Sequence, residues 1–523
     1  MAKETFTKSE NFRQEYSATI VRVGELKDIE NSDNLKQVII DGFSVVVNKN
    51  DVKEGDLMIY CKNETELNKD FLSINNMFEI GERELNKNYK EVEDLIIEGK
   101  QDEAKKLVGY FNKHGRVKMI RLRGCPSMGV LLRFDSFINF DNKLKNVNLE
   151  DYITYDDNGN FIPFDFDTIN GRLFIKAYVP KITGRGSGGG KKRGRKTKQF
   201  DRMIPGEWNF HYDTQQLNSN MWRFHPEDVV CITTKIHGTS LVLGNCLIKN
   251  PIHLDSAQKW FNKKCRKRIK KIGKALKFDN NFSDRLVHER KCLENKIIKN
   301  YNVVYADIYS SRTLIKNQFI NPAGGQGFYE SDVWGDYHNL FKGLIPHGMT
   351  IYGEIFGYLT GSNSMIQSTP GPYDYGCEPG ENKLMIYRIS QKTENGIEEY
   401  SMKQVIKYSE DLIKKYPEIG KFIMVPEVLY YGKLMDLYPD LDITNHWNEN
   451  VLEKMKKDER FGMEKDEYLC KHKVPREGIC IRIEGDPIAE CFKLKTLAFL
   501  GKEADCIDKG HVDVEMMDNY LNS

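Results

Sequence analysis

Lys235 stands in the run Thr233-Thr234-Lys235-Ile236-His237-Gly238-Thr239-Ser240, directly after the apolar stretch Val229-Val230-Cys231-Ile232. A short apolar strand of this kind delivers a primary amine at its end, and Gly238 leaves open backbone beside it. An ordinary lysine is a cation near neutral pH and attacks nothing. It becomes a nucleophile when burial or neighbouring cations remove its proton. Lys493 and Lys495 flank Leu494, so a strand places both on one face. Converging beside Lys235, they would neutralise phosphate oxygens and favour the neutral amine by like-charge repulsion.

Three further segments carry polar groups suited to a nucleotide. Glu354 closes Tyr352-Gly353-Glu354, and Glu477 opens Glu477-Gly478-Ile479-Cys480-Ile481-Arg482. Such acids accept from ribose hydroxyls or hold metal-bound water. Magnesium, with manganese as the alternative, keeps most of its waters and needs few carboxylates. Tyr387, in Met385-Ile386-Tyr387, is placed either to stack on a base or to fill core. Arg312, in Tyr309-Ser310-Ser311-Arg312-Thr313, can clamp a phosphate or ribose. Taken singly, each glutamate is an ordinary strand-end acid, and Lys-x-x-Gly is a surface lysine before a turn. The ordered set is what has content.

The elements that must hold these groups fall into two parts. With 523 residues, the chain is too long for one core. Residues 1–180 read as β-rich. Tyr16 to Val23, Leu35 to Ile40, Phe43 to Val47, Leu57 to Tyr60, Val117 to Leu122 and Val130 to Leu132 are short strands, with Asp41-Gly42 as a tight turn. They predict an OB-like β-barrel, with a helical insertion at about 82–112 in one loop. Residues 181–200 form a basic, glycine-rich linker with seven cations and no acid over 185–198. Residues 201–500 mix strands (near 303, 349, 384, 479 and 490) with helices at Lys403 to Tyr416 and Asn448 to Lys456. No βαβ rhythm appears, so an α+β domain on mainly antiparallel sheets with flanking helices is expected, followed by a tail at 501–523.

Net charge is +2, but its distribution is uneven. Residues 259–299 hold 15 basic and four acidic side chains. Segregated charge of this kind, here and at 185–198, makes a field that phosphate backbones follow. The 259–299 stretch reads as either a solvated helical decoration or a phosphate-holding element. The eleven cysteines never form Cys-x-x-Cys, which fits reduced thiols. Cys470, His472, Cys480 and Cys491 match no common zinc spacing. No apolar run spans a membrane, and the N-terminus lacks a secretory core. A cytoplasmic monomer is expected, in the host cytoplasm if the source is viral.

The motifs in this order resemble the covalent nucleotidyltransferase superfamily of ligases and capping enzymes. Lys-Ile-His-Gly-Thr, with histidine where DNA ligases carry aspartate, is similar to the ATP-dependent RNA ligases of the nick-sealing branch. A barrel before the catalytic part, with no barrel-sized segment after Lys495, resembles the subgroup with an N-terminal OB module. The resemblance implies an adenylyltransferase (ATP-grasp-like ligase) domain in which Lys235 forms a lysyl-AMP with ATP. It implies nucleotide-facing roles for Thr233, Thr234, Ile236, His237, Gly238, Arg312, Glu354, Tyr387, Glu477, Lys493 and Lys495. Metal duty, through water, falls to Glu354 and Glu477. RNA would be the partner, along segments 185–198 and 259–299, in repair of broken or nicked strands. In that family the step between the residues matching Lys235 and Arg312 is short, which implies that residues 247–300 are a basic insertion. Ser240 stands where several such ligases have asparagine, and Thr234 where glutamate often precedes the lysine. Rival readings are a DNA or hybrid-nick ligase, a GTP-using capping enzyme, and an inactive RNA-binding module.

Overall fold

The computed structural model describes residues 5–155, 161–179, 201–211, 214–278, 284–317, 319, 331–444, 446–485 and 487–511. The basic segment 185–198 lies outside the described residues, as do residues 279–283 of the second basic stretch.

The N-terminal unit is built on β1 (Ala18–Arg22), β2 (Leu35–Ile40), β3 (Phe43–Asn48), β4 (Leu57–Cys61), β5 (Val130–Arg133) and β6 (Phe164–Phe166). One antiparallel sheet runs β5-β4-β1-β6, and β2 and β3 form a hairpin through Asp41-Gly42. Both central strands are buried on two faces. Val21, Met58 and Tyr60 pack with the hairpin's Val38, Ile40, Val45 and Val47. Ile20, Ile59 and Cys61 turn the other way, into a core of Phe6, Phe71, Phe137, Phe166 and Phe174. Period-two alternation with apolar side chains on both faces, and Thr19 bonded to Asp165, gives this two-sided burial. The described strands divide among several ladders and do not close into one hydrogen-bonded barrel. Helices α1 (Tyr89–Ile97) and α2 (Gln101–Lys106) form within the stretch expected to be a helical insertion.

Two sheets follow. The first runs Gln215–Gln216, β15 (Glu490–Lys495), β14 (Gly478–Ile483), β7 (Val229–Lys235) and β13 (Val428–Lys433). The second runs β9 (Tyr301–Ser310), β8 (Thr239–Pro251), β10 (Met349–Gly357), β11 (Asn382–Thr393) and β12 (Gly396–Glu399). Pairing is antiparallel apart from two short parallel contacts. Helix α5 (Met402–Lys415) starts at a reciprocal cap between Ser401 and Gln404 and lays Met402, Val405 and Leu412 on the second sheet beside Trp334 and Tyr337. Helix α6 (Trp447–Lys457) covers the first sheet with Val451, Leu452 and Met455. Both helices match their sequence expectation within one residue at each end.

The basic stretch is an excursion from a hairpin. β8 continues through Leu247 to Pro251, residues the sequence reading gave to the insertion, because they pair with Val303–Tyr301 and Tyr305 of β9. Two helices, α3 (Ser256–Phe278) and α4 (Asp284–Lys296), then leave and return where the Ile252 N–H donates to Asn300 O at 2.8 Å. The arm is held to itself: Asn262 bonds Ile298 through both its side-chain oxygen and its amide. Replacing residues 253–299 by a short turn should therefore leave the sheets intact. Urea unfolding followed by tryptophan fluorescence is expected to shift by about 1 kcal/mol or less, since loop closure varies slowly with length. A collapse of the cooperative transition would show that the arm is part of the core.

Candidate functional site

Lys235 is the last residue of β7 and Thr239 the first of β8. The three residues between them carry the chain from one sheet to the other, so the amine sits at the corner where the sheets meet. Register does the rest. Lys235 lies opposite Gly478, and Gly478 opposite Lys495; one repeat away, Thr233 lies opposite Cys480, and Cys480 opposite Lys493. Strand alternation puts this whole block on one face. Gly478 has φ +148°, and a Cβ there would stand 2.0 Å from Leu494 O. Glycine is thus required, and it leaves an opening between two lysines. At the corner itself, a Cβ on Gly238 would stand 2.2 Å from Ile355 O. That close approach lets the Gly238 N–H donate to Glu354 Oε1 at 3.0 Å, while Gln367 donates to Gly238 O at 3.1 Å.

Glu477 is the electrostatic centre. Its Oε1 lies 2.9 Å from Lys235 Nζ and 3.7 Å from Lys495 Nζ, and its Oε2 lies 3.8 Å from His237 Nδ1. Burial opposes the charge on Glu477, but Lys235, His237 and Lys495 outweigh it and hold the carboxyl below its ordinary range. Burial likewise disfavours the Lys235 cation, yet Glu477 lifts the amine above its ordinary value. The sequence expectation was that the paired C-terminal lysines favour the neutral amine by like-charge repulsion. Lys495 does push its pKa down, but a carboxylate in contact pushes harder. The Cys480 thiol beside them is pushed up to about 12 by burial, so it stays neutral.

His237 is fixed from every side. Its N–H donates to the Tyr375 hydroxyl at 2.8 Å, and its Nε2 lies 2.6 Å from Thr369 O, where the ring must donate. Tyr373 and Phe499 meet the ring edge-on at 5.1 and 5.2 Å. Nδ1 is thereby turned toward Glu477. Phe499 belongs to α7 (Leu497–Asp508), which Thr496 caps by accepting from Phe499 N while its own N–H donates to Glu477 O.

The other candidates gather around this corner. Lys493 Nζ pairs with Glu15 of the N-terminal unit at 2.8 Å, and Lys495 with Glu503 of α7 at 3.1 Å. Arg312 lines the same cavity, with Arg13, Lys62, Lys493 and Lys495. Lys493 Nζ is thus turned toward Glu15 of the N-terminal unit. Tyr387 is the extra residue of a β-bulge between Ile386 and Arg388, and it packs on the cluster of Ile236 and Met385. Thr233 and Thr234 are buried. The Thr234 hydroxyl donates to Glu427, which also receives Tyr468 and Arg476. Glu15, Glu503, Thr369, Tyr373 and Tyr375 escaped the sequence reading. They come from remote segments without a motif of their own, and only tertiary packing brings them here.

Among the described residues no group of three or more His, Cys, Asp or Glu could hold a metal ion alone. Glu477 Oε2, however, is buried and has no hydrogen-bond partner. A carboxylate oxygen without a hydrogen bond suits a hydrated divalent ion that takes its remaining ligands from substrate and water.

A family model described as an OB-fold domain matches residues 17–99, and the N-terminal unit is an OB-fold domain. No curated protein matches the chain. Among solved structures, the chain is similar to a mutant of Naegleria gruberi RNA ligase with ATP and Mn, at 13% identity and TM-score 0.48, over 93% of this chain and 99% of that one. It is also similar to Naegleria gruberi RNA ligase with PPi, at 15% identity and TM-score 0.45, over 94% and 99%.

Two outcomes follow from the geometry. Gly478→Ala should destabilise the protein by at least about 1–3 kcal/mol, through forced backbone strain, in urea titration. An unchanged midpoint would refute the register. For Glu477, whose folded carboxyl is held below its ordinary 4.5, folding favours the charged form. Its contribution is present above that pH and is lost as pH falls through the lowered folded value. The stability difference between wild type and Glu477→Gln is thus expected to shrink on acidification; a constant difference would contradict the pairing.

Proposed function

We propose that this chain is an ATP-dependent RNA ligase that joins a 3′-hydroxyl to a 5′-phosphate. What carries the reading is the convergence of Lys235, Glu477 and Lys495 within ion-pair distance at the corner of two sheets, with glycine at each close approach. In the first step Lys235 Nζ attacks the α-phosphorus of ATP, a P–N bond forms, and pyrophosphate leaves. In the second, an RNA 5′-phosphate oxygen attacks the same phosphorus, and the amine leaves, giving an adenylylated RNA end. In the third, a 3′-hydroxyl attacks the 5′-phosphorus; AMP leaves and a phosphodiester remains.

Each side chain has a part in this scheme. Lys235 is held as a cation by Glu477 and must give up its proton before attack. Loosening that pair leaves burial and Lys495 lowering the amine's pKa, against Cys480 and Glu354, which raise it. His237 is a positioning residue that orients the Glu477 carboxylate. Glu354 braces the corner through Gly238 N and faces the ribose, Tyr387 stacks on adenine, and Thr233, Thr234 and Ile236 line the nucleotide. Lys493, Lys495 and Arg312 take phosphate charge once Glu15 and Glu503 release them. A magnesium or manganese ion held through water by Glu477 and Glu354 would neutralise phosphate charge and relieve Lys235 of its carboxylate partner.

The test is strand joining. Wild type with ATP is expected to join RNA ends, and Lys235→Ala to lose about 10³-fold or more. The same variant should still join RNA supplied with a 5′-adenylyl group, because that substrate bypasses the lysine. GTP used as well as ATP, or preference for all-DNA nicks, would replace this reading by a capping enzyme or a DNA ligase. RNA binding with no joining at all would leave an inactive binding module.

A further inference from the structure

The second basic stretch has a geometry that says what it fits. α3 is 23 residues long, which makes a rod of about 34 Å. Asn262, Cys265 and Ile272 are buried. Lys263, Arg266, Lys267, Lys270 and Lys274 recur at helical spacing on the opposite side and are all exposed. Among the described residues none of these five has an ion-pair or hydrogen-bond partner. Their neighbours differ: Arg268 is engaged twice by Glu289, Lys259 by His253, and Lys264 lies 3.8 Å over the Trp260 ring. Among the described acids of the two helices, Glu289 pairs with Arg268 and Glu294 with Arg290, neither of them with the stripe. From Lys263 to Lys274 the helix carries no aromatic residue; the exposed Trp260, one turn before Lys263, has one ring face covered by Lys264, and Phe261 sits beside it at the base of α3. Recognition of single strands relies on such rings as stacking platforms, whereas a bare row of cations on a rigid rod follows phosphates.

The place of the arm is equally informative. β8 starts at the catalytic corner and ends at the arm, and its 13 residues span about 40 Å. We infer that the arm is a duplex grip: the Lys263–Lys274 stripe binds the phosphate backbone of double-helical RNA roughly 40 Å along the duplex from the joining site. That the duplex is RNA rests on the ligase reading above. Contact with phosphates alone makes the grip independent of sequence.

The experiment compares wild type with a fivefold variant, Lys263→Gln, Arg266→Gln, Lys267→Gln, Lys270→Gln and Lys274→Gln. Binding is read by fluorescence anisotropy against salt, on nicked RNA duplexes reaching about 6 or about 24 base pairs from the nick and on single-stranded RNA. The variant is expected to lose at least about tenfold on the long duplex, with a salt slope flatter by about one for each phosphate contact removed. The short duplex and the single strand should bind both proteins alike. Unchanged binding of the long duplex would overturn the grip, as would an equal loss on single strands. A larger loss on duplex DNA than on duplex RNA would overturn its assignment to RNA. Labelling with radioactive ATP is run on the same samples. Loss of label from both proteins would count against the ligase reading, while the duplex result would still decide the arm.

Discussion

The Lys235–Glu477 ion pair is the interaction on which the rest of the structure depends. A buried carboxylate is costly to desolvate, and here it is compensated by two lysines and a histidine at 2.9 to 3.8 Å. Every supporting feature serves that cluster. Gly478 lets β14 pass between two lysine-bearing strands, and Gly238 lets the corner press on β10. Thr369, Tyr373 and Phe499 hold the histidine ring from three directions, and Tyr375 accepts from the His237 backbone N–H. Removing the carboxylate would leave two cations facing each other in a closed corner, and removing Lys235 would leave a buried anion under-compensated.

The cluster is also wired to the N-terminal unit. Glu15 takes Lys493 across the boundary, and Glu503 takes Lys495 from α7. The same helix ends in Asp508, which pairs with Arg116 and Lys118 of the N-terminal unit at 2.5 and 2.6 Å. Met119 and Met128 close the contact against Ala504. Any anion that takes the two C-terminal lysines must exchange with these carboxylates, one of which also docks the units. Lys493 thus joins the corner to the N-terminal unit through Glu15, and α7 joins it through Glu503 and Asp508.

Much of this was legible in the chain. Lys235, Gly238, Glu477 and Lys495 follow from residue types and strand register, because alternation in antiparallel strands is rigid. α5 and α6 follow from helical periodicity. What stayed hidden was the sign of the balance at Lys235. Like-charge repulsion from Lys495 is readable two strands away, but the 2.9 Å contact with Glu477 depends on how Gly478 bends its strand. Glu15 and Glu503 were invisible for a different reason: they meet the lysines through docking of whole units. The barrel expectation was right in kind, yet its strands divide into separate ladders because β1 and β4 bury both faces under different cores.

The most direct measurement is the position of the covalent adduct. The full chain is incubated with ATP and magnesium, digested, and the added adenylyl group located by tandem mass spectrometry. The account predicts one adenylyl group on Nζ of Lys235, at the corner between the two sheets. An adduct on Lys493 or Lys495 instead, or turnover of ATP with no adduct at any lysine, would contradict it.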